Sequence, residues 1–171
     1  MKNVLYVLLI GLSLCLCSCV ETEVDDKALL EEVKALFKED KYAEALPLAE
    51  RLVKICEEKY GTEHPDTVVA ELELGWNYIK TKNYAKAEST LKKNLEACKR
   101  VFGLEHPRTI DCLDNMAELY HETGNWDKAM QFGQSVLELK EKVYGPDHYK
   151  TNIARSLLEK TQKAVREAQQ Q

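Results

Sequence analysis

The sequence predicts an all-α protein, a solenoid of three stacked helix pairs followed by a C-terminal capping helix. A turn-like segment begins at Gly61, Gly103 and Gly145, so that it recurs every 42 residues. A fixed period of that size is typical of repeat architectures, in which each unit packs mainly against its neighbours. Only seven glycines and four prolines occur in 171 residues, so most of the chain can be helical. Together these observations predict seven helices and no strand.

Each turn combines the end of one helix with the start of the next. In Gly61–Pro65 and Gly103–Pro107, glycine can adopt the left-handed conformation that ends a helix, and proline suits the first helical position. The residue before a proline favours extended geometry, which places the intervening histidine just outside the helix. We therefore expect the three equivalent histidines, His64, His106 and His148, to shape the turns and cap helices.

The helices between the turns can be placed in order. Residues 26–39 carry apolar side chains at helical spacing, after an aspartate that can cap the helix. The segment Asp40–Ala45 opens a second helix that runs to about Tyr60, and its pattern returns as Lys82–Ala87 and Gly124–Ala129. Each copy has an aromatic residue three positions before an alanine. The ring can fill the space between paired helices, and the alanine lets their backbones approach closely.

The final segment differs from the helices before it. Residues 149–168 keep Leu157 and Leu158 and then become polar. The terminal unit of a solenoid needs a polar outer face. We therefore expect this segment to form a solvating cap helix.

The first twenty residues also differ from the rest. After a short positive start, Val4–Leu16 is almost wholly apolar, which suits a signal peptide and is short for a membrane span. The next residues, Leu16–Cys19, resemble the lipobox of bacterial lipoproteins, in which the chain is cut before a cysteine that receives a lipid. The resemblance implies a signal peptide over 1–18, a lipid on Cys19 and a tether over 19–25. A plain cleaved signal, giving a secreted or periplasmic protein, and an uncleaved anchor are the alternatives.

Three cysteines remain beyond this leader: Cys56, Cys98 and Cys112. An odd number at wide spacing does not form a disulfide framework. Cys56 and Cys98 are one period apart, which favours small packing residues at the same site of two repeats. A single bridge between Cys98 and Cys112 is the alternative.

A large, small and aromatic stripe identifies the repeat type. Leu74-Gly75-x-x-Tyr78 aligns with Met116-Ala117-x-x-Tyr120. With the 42-residue period and the Gly-x-x-His-Pro turns, these residues resemble the tetratricopeptide repeat, in particular its kinesin-light-chain type. The resemblance implies a right-handed α-solenoid over residues 26–171. Its parts would be repeats at about 26–61, 66–103 and 108–145, and the cap helix at about 149–168.

Composition and spacing argue against several classes of function. The net charge is −5 and no basic block occurs, which argues against a nucleic-acid partner. The equivalent histidines would lie roughly 10 Å apart in stacked repeats, whereas metal ligands must lie about 2 Å from one ion. No Ser-His-Asp arrangement or glycine-rich phosphate loop is present. We therefore predict a protein that is not an enzyme and has no cofactor or metal.

In the family that the chain resembles, ligands lie along the first helix of each pair, inside the superhelix. The second repeat would then present an apolar wall with a tryptophan and the third an acidic wall, which suits a partner peptide with apolar anchors and basic residues. Asn115 matches the family's peptide-holding asparagine, and Glu73 replaces it one repeat earlier. The implied groove residues are Leu30, Lys34, Phe37, Val69, Leu72, Glu73, Trp76, Ile79, Asp111, Asp114, Asn115, Glu118 and His121.

These positions also have simpler interpretations. Trp76 is either a binding anchor or a core residue between neighbouring helices, and the acidic residues could form only a solvated face. The function that follows is a membrane-tethered envelope lipoprotein that binds another protein as a scaffold or assembly factor. The alternatives are a solenoid that associates with itself and a small envelope hydrolase.

Overall fold

The computed structural model describes residues 25–170, where the chain forms seven α-helices and no strand. The predicted all-α fold and the number of helices are thereby confirmed for this part of the chain. The proposed leader, Cys19 and residues 20–24 lie outside it. The helices are α1 (Asp26–Lys38), α2 (Tyr42–Tyr60), α3 (Pro65–Lys80), α4 (Tyr84–Val101), α5 (Pro107–Glu122), α6 (Trp126–Tyr144) and α7 (Tyr149–Ala168).

The helices stack in chain order. Each helix packs mainly on the next, so α1 pairs with α2, α3 with α4 and α5 with α6, and α7 packs on α6. The first helices of successive pairs also touch, since α3 contacts α5 and α5 contacts α7. The predicted alanines Ala45, Ala87 and Ala129 are buried where paired helices approach each other. The core therefore lies between the stacked helices, as one large cluster and a smaller one near the start of the stack.

The three turns share one construction. Their glycines adopt positive φ angles between +86° and +95°. Each histidine is the N-cap of the following helix, and its Nδ1 accepts a hydrogen bond of 3.2 Å from the backbone N–H two residues on. The predicted capping role is confirmed. A buried threonine, which sequence reasoning missed, donates its hydroxyl to the glycine carbonyl at 2.7 to 2.8 Å. The residues are Gly61, His64 and Thr67; Gly103, His106 and Thr109; and Gly145, His148 and Thr151.

The three cysteines of the helical domain are buried thiols with no disulfide between them. The expected packing role of Cys56 and Cys98 is thereby confirmed. The Cys98 thiol lies beside Cys112, and this contact together with burial raises the pKa of the Cys112 thiol. Both side chains therefore act as small neutral residues inside the stack.

Candidate functional site

A cavity of about 260 Å³ opens between α3 and α5, where the first helices of the second and third repeats lie side by side. We call this surface the groove. Six of the residues implied by sequence lie together around it, and Arg108 completes the lining. The six are Leu72, Glu73, Trp76, Asp111, Asp114 and Asn115.

Trp76 forms the aromatic end of the groove. Its ring packs edge-on against Phe37, with centroids 4.9 Å apart, and against Tyr42 at 5.4 Å. The Lys80 ammonium lies 5.2 Å from its centroid, within the range of a cation–π contact. The ring is half-buried. Trp76 therefore combines the two interpretations, because it packs against the core and also lines the cavity.

Other predicted groove residues lie away from the cavity. Ile79 is 2% exposed and Phe37 is buried, so both belong to the core and offer little surface to a partner. Leu30 packs against the small cluster at the start of the stack, and Lys34 donates to Glu31 at 2.9 Å. Val69 is half-buried and does not line the cavity. The first repeat thus contributes support for Trp76 rather than cavity surface.

Two of the three carboxylates around the cavity have cationic partners inside the protein. Glu73 lies 3.8 Å from the Arg108 guanidinium. Asp114 accepts a hydrogen bond from Lys140, whose side chain is only 4% exposed and which reaches the groove from α6. The third repeat is therefore less negative at the groove than its sequence indicates.

Burial acts on both of these carboxyl groups. It raises the pKa of Glu73, against the opposing charges of Arg108 and Lys34. It also raises the pKa of Asp114, although the Lys140 ammonium opposes the shift. The negative charge of Asp111 adds to the increase at both sites. A further positive charge placed here would relieve this repulsion.

Asp111 and Asn115 keep their polar groups available. Both are half-buried residues on one face of α5 and line the cavity. Among residues 25–170, the Asp111 carboxylate makes no ion pair, and the structure records no hydrogen bond from the Asn115 amide to a protein group. An unpaired carboxylate beside an unpaired amide can accept from, and donate to, a polar ligand.

Glu118 and His121 lie further along the same face of α5, outside the cavity. Glu118 is bonded to Lys80 of α3. The Nδ1 atom of His121 lies 2.9 Å from the Thr161 hydroxyl of α7, and its ring packs edge-on to Trp126 at 5.6 Å. Both residues tie neighbouring first helices together.

Sequence reasoning missed two cationic residues at the groove. Arg108 and Lys140 set the charge of the groove, but a repeat pattern does not predict which ions will meet. One signal was available for Lys140, because it stands one period after Cys98. A lysine in the position of a buried cysteine indicates a charge with a partner nearby.

Two findings concern other kinds of site. Among residues 25–170, no three or more His, Cys, Asp or Glu side chains are grouped to hold a metal ion. In the same range, no helix combines the length and apolar character required to cross a bilayer.

Known proteins share the repeat and the fold. The family model of the tetratricopeptide repeat matches residues 28–93 and 78–142. No curated protein sequence matches the chain.

Similar solved structures include a protein of Podosopora anserina described as a kinesin light chain with nearly identical TPR-like repeats. It is 19% identical with a TM-score of 0.75, over 84% of this chain and 68% of that one. A variant of that protein matches at 19% identity and a TM-score of 0.74, with the same coverage of 84% and 68%. BtubC (BKLC) from P. vanneervenii is 17% identical with a TM-score of 0.69, over 78% of this chain and 53% of that one. At these identities the likeness establishes the solenoid fold alone.

Proposed function

Because the chain belongs to the tetratricopeptide repeat family, we propose that it is a non-catalytic module whose groove binds a segment of another protein. Repeats of this family generally mediate protein–protein interaction. The observation that carries the proposal is the cavity between α3 and α5, where, within residues 25–170, the Asp111 carboxylate makes no ion pair and the Asn115 amide makes no recorded hydrogen bond. A ligand there gains hydrogen bonds without breaking existing ones.

The groove favours a segment with an apolar side chain and a basic one. The apolar group packs beside Trp76, and a lysine or arginine faces the unpaired Asp111 carboxylate. A few such anchors dominate binding energies at interfaces of this kind. We expect micromolar affinity, which corresponds to roughly −8 kcal/mol.

The protein would act as a scaffold or assembly factor at a bacterial membrane. This part of the proposal is supported by the lipobox-like Leu16–Cys19, and the lipid would be carried by Cys19. Each buried methylene of an acyl chain contributes about 0.8 kcal/mol, so several chains hold a protein on a membrane durably. Residues 19–25 would then join the helical domain to the membrane surface.

The binding proposal can be tested by partner capture from the protein's own membranes. Asp111→Asn and Asn115→Ala change cavity residues whose side chains make no recorded ion pair or hydrogen bond among residues 25–170, so we expect loss of the partner with helical content unchanged and a melting temperature no lower than that of the wild type. Trp76→Ala should also abolish capture, but it removes contacts with Phe37 and Tyr42 and so lowers stability as well. Exposed Glu159→Ala on α7 is the control. Full capture by both α5 variants would refute the groove as the binding site.

The membrane proposal has its own test. Cys19→Ser should move the protein from the membrane fraction to the soluble fraction, whereas Cys17→Ser should leave lipidation and membrane attachment unchanged. Mass spectrometry of the mature N-terminus checks the modification directly. Unchanged attachment of the Cys19 variant would indicate an uncleaved anchor instead.

A further inference from the structure

The cap helix α7 carries an apolar continuation of the groove. One period after Asp111 and Asn115, the equivalent positions are Ile153 and Leu157. Ile153 is 61% exposed, and Leu157 is half-buried four residues later on the same helical face. The row of equivalent positions therefore changes from polar on α5 to apolar on α7.

The placement of α7 puts this apolar pair one first helix further along the stack than the cavity residues of α5. It contacts α5 as α5 contacts α3, and the His121–Thr161 contact of 2.9 Å joins the two helices. Neighbouring packed helices lie about 8 to 10 Å apart. Ile153 is therefore one helix spacing beyond Asp111 along the groove.

Ile153 is one of two exposed large apolar side chains on α7; the other is Tyr149. On α5, Ile110 and Leu113 are buried, while their equivalents on α7 are the polar Asn152 and Arg155. At the position of Asp111 the change is the reverse, from a polar residue on α5 to the apolar Ile153 on α7. The polar changes are expected for a capping helix. The apolar pair, in contrast, occupies the two positions equivalent to the cavity residues Asp111 and Asn115, where the groove face continues onto α7.

We propose that the groove takes an extended segment in which one lysine or arginine is followed or preceded, about three residues away, by a large apolar residue. The basic residue binds Asp111 and Asn115, and the apolar residue packs on Ile153 and Leu157. An extended chain advances about 3.3 Å per residue, so about three residues cover one helix spacing. The proposal rests on the binding function above and names the chemistry of its ligand.

The charges around the cavity limit the ligand to a single positive group. Arg108 offsets Glu73 and Lys140 offsets Asp114, so one negative charge remains on Asp111. A second basic residue next to the first would approach Arg108, and an acidic residue would be repelled by Asp111. This arrangement selects an isolated basic residue rather than a basic cluster.

The test is a selection of short randomised peptides, displayed on phage, against the full chain in detergent micelles. We expect enriched peptides to carry one basic residue with an apolar residue about three positions away. Affinities of the best synthetic peptide are then measured by fluorescence polarisation. Asp111→Asn and Ile153→Asn should each weaken binding about tenfold. Leu104→Asn, an equal change at an exposed apolar residue of a turn, should have no effect.

The outcomes separate this inference from the binding function itself. Peptides enriched without the spaced apolar residue, or full affinity of the Ile153 variant beside a weakened Asp111 variant, would overturn the inference and leave the groove as the binding site. Enrichment of acidic peptides would overturn it as well. An absence of any enriched peptide, together with partner capture that is insensitive to Asp111, would overturn both.

Discussion

The second and third repeats bury polar groups at different places in the same architecture. In the second repeat, Glu71 of α3 and Asn94 of α4 are buried between the paired helices. The Asn94 amide donates to the Val68 carbonyl at 2.7 Å and to Glu71 at 3.3 Å, and Lys93 donates to Glu71 at 2.7 Å. One period later the equivalents of Glu71 and Asn94 are a leucine and a valine.

The third repeat has its buried polar pair at the groove. Lys140 of α6 binds Asp114 of α5, and one period earlier these positions are Cys98 and Leu72. Asp114 lines the cavity, whereas Glu71 and Asn94 do not. Equivalent positions of the stack therefore carry a polar pair between the paired helices in the second repeat and at the groove in the third. Only the pair in the third repeat contributes to the charge of the groove.

The largest effect is expected from breaking the ion pair of the third repeat. Lys140→Met keeps most of the side-chain volume but leaves Asp114 partly buried without a cation, so the free energy of unfolding should fall by about 3 kcal/mol. Chemical denaturation of the variant and the wild type at neutral pH measures this loss.

The matched variant makes the pair apolar, as it is in the second repeat. Lys140→Met combined with Asp114→Leu removes both charges and should recover most of the loss, since an apolar pair of similar volume replaces the ions. The Asp114→Leu single variant completes the set. If the loss in the double variant equals the sum of the losses in Lys140→Met and Asp114→Leu, the two charges do not interact and the comparison of the repeats fails.

The polar pair of the second repeat should give a smaller loss. Asn94→Val removes hydrogen bonds from Glu71 and from the Val68 carbonyl, which should cost about 2 kcal/mol. The double variant Glu71→Leu/Asn94→Val reproduces the leucine and valine of the third repeat, so its free energy of unfolding should equal or exceed that of the wild type. Partner capture should be unaffected, because neither residue lines the groove. A double variant less stable than Asn94→Val would contradict the equivalence of the two repeats.

The architecture was predictable because its signals are local. Glycine, histidine and proline at Gly61–Pro65 determine how one helix ends and the next begins, and they do so within a few residues of chain. The 42-residue period then transfers each turn to the next repeat. The same transfer placed Trp76, Asp111 and Asn115 on the first helices, where the structure has them beside one cavity.

The charges of the groove were not predictable in the same way. Lys140 belongs to a second helix and reaches Asp114 across the stack, so its partner depends on tertiary packing. Burial is equally non-local, since Ile79 has a groove position by register and is enclosed by core residues in the fold. The apolar pair on α7 was hidden by the polar character of the rest of that helix. The repeat register predicts which face of a helix a residue occupies, but tertiary packing determines its contacts and its burial.

A further difference between the repeats lies at the helix ends. The Tyr144 hydroxyl is buried and has no hydrogen-bond partner in the part of the chain that the structure describes, whereas the equivalent residue of the second repeat is Phe102. Tyr144→Phe should therefore raise the free energy of unfolding by about 1 kcal/mol, because an unsatisfied polar group is removed. In the first repeat, the Tyr60 hydroxyl donates to Asp26 at 3.1 Å. Tyr60→Phe removes this hydrogen bond and should therefore lower the free energy of unfolding. Equal losses in the two variants would show that Tyr144 has a bound water as its partner.

The smallest expected effect is a difference in alkaline stability. The hydrogen bond to Glu71 raises the pKa of Lys93 above its ordinary value of 10.5. The pair therefore contributes stability that is complete below the unfolded pKa and is lost as pH rises through the folded pKa. The pKa values of Tyr78 and Tyr120 are raised to about 12. Their contribution to the free energy of unfolding therefore falls with rising pH in the wild type and in every variant alike, so it cancels when two proteins are compared.

As pH rises above about 10.5, the ordinary pKa of lysine, the free energy of unfolding should thus fall more steeply in the wild type than in Glu71→Leu/Asn94→Val. The exposed Lys93 ammonium is screened by water, so the difference in slope should be small and should shrink further in high salt. In Leu104→Asn, which alters no titrating group, the free energy of unfolding should depend on pH as it does in the wild type. Parallel curves for the double variant would mean that Lys93 and Glu71 are not coupled, and that the second repeat buries its carboxylate with Asn94 alone as partner.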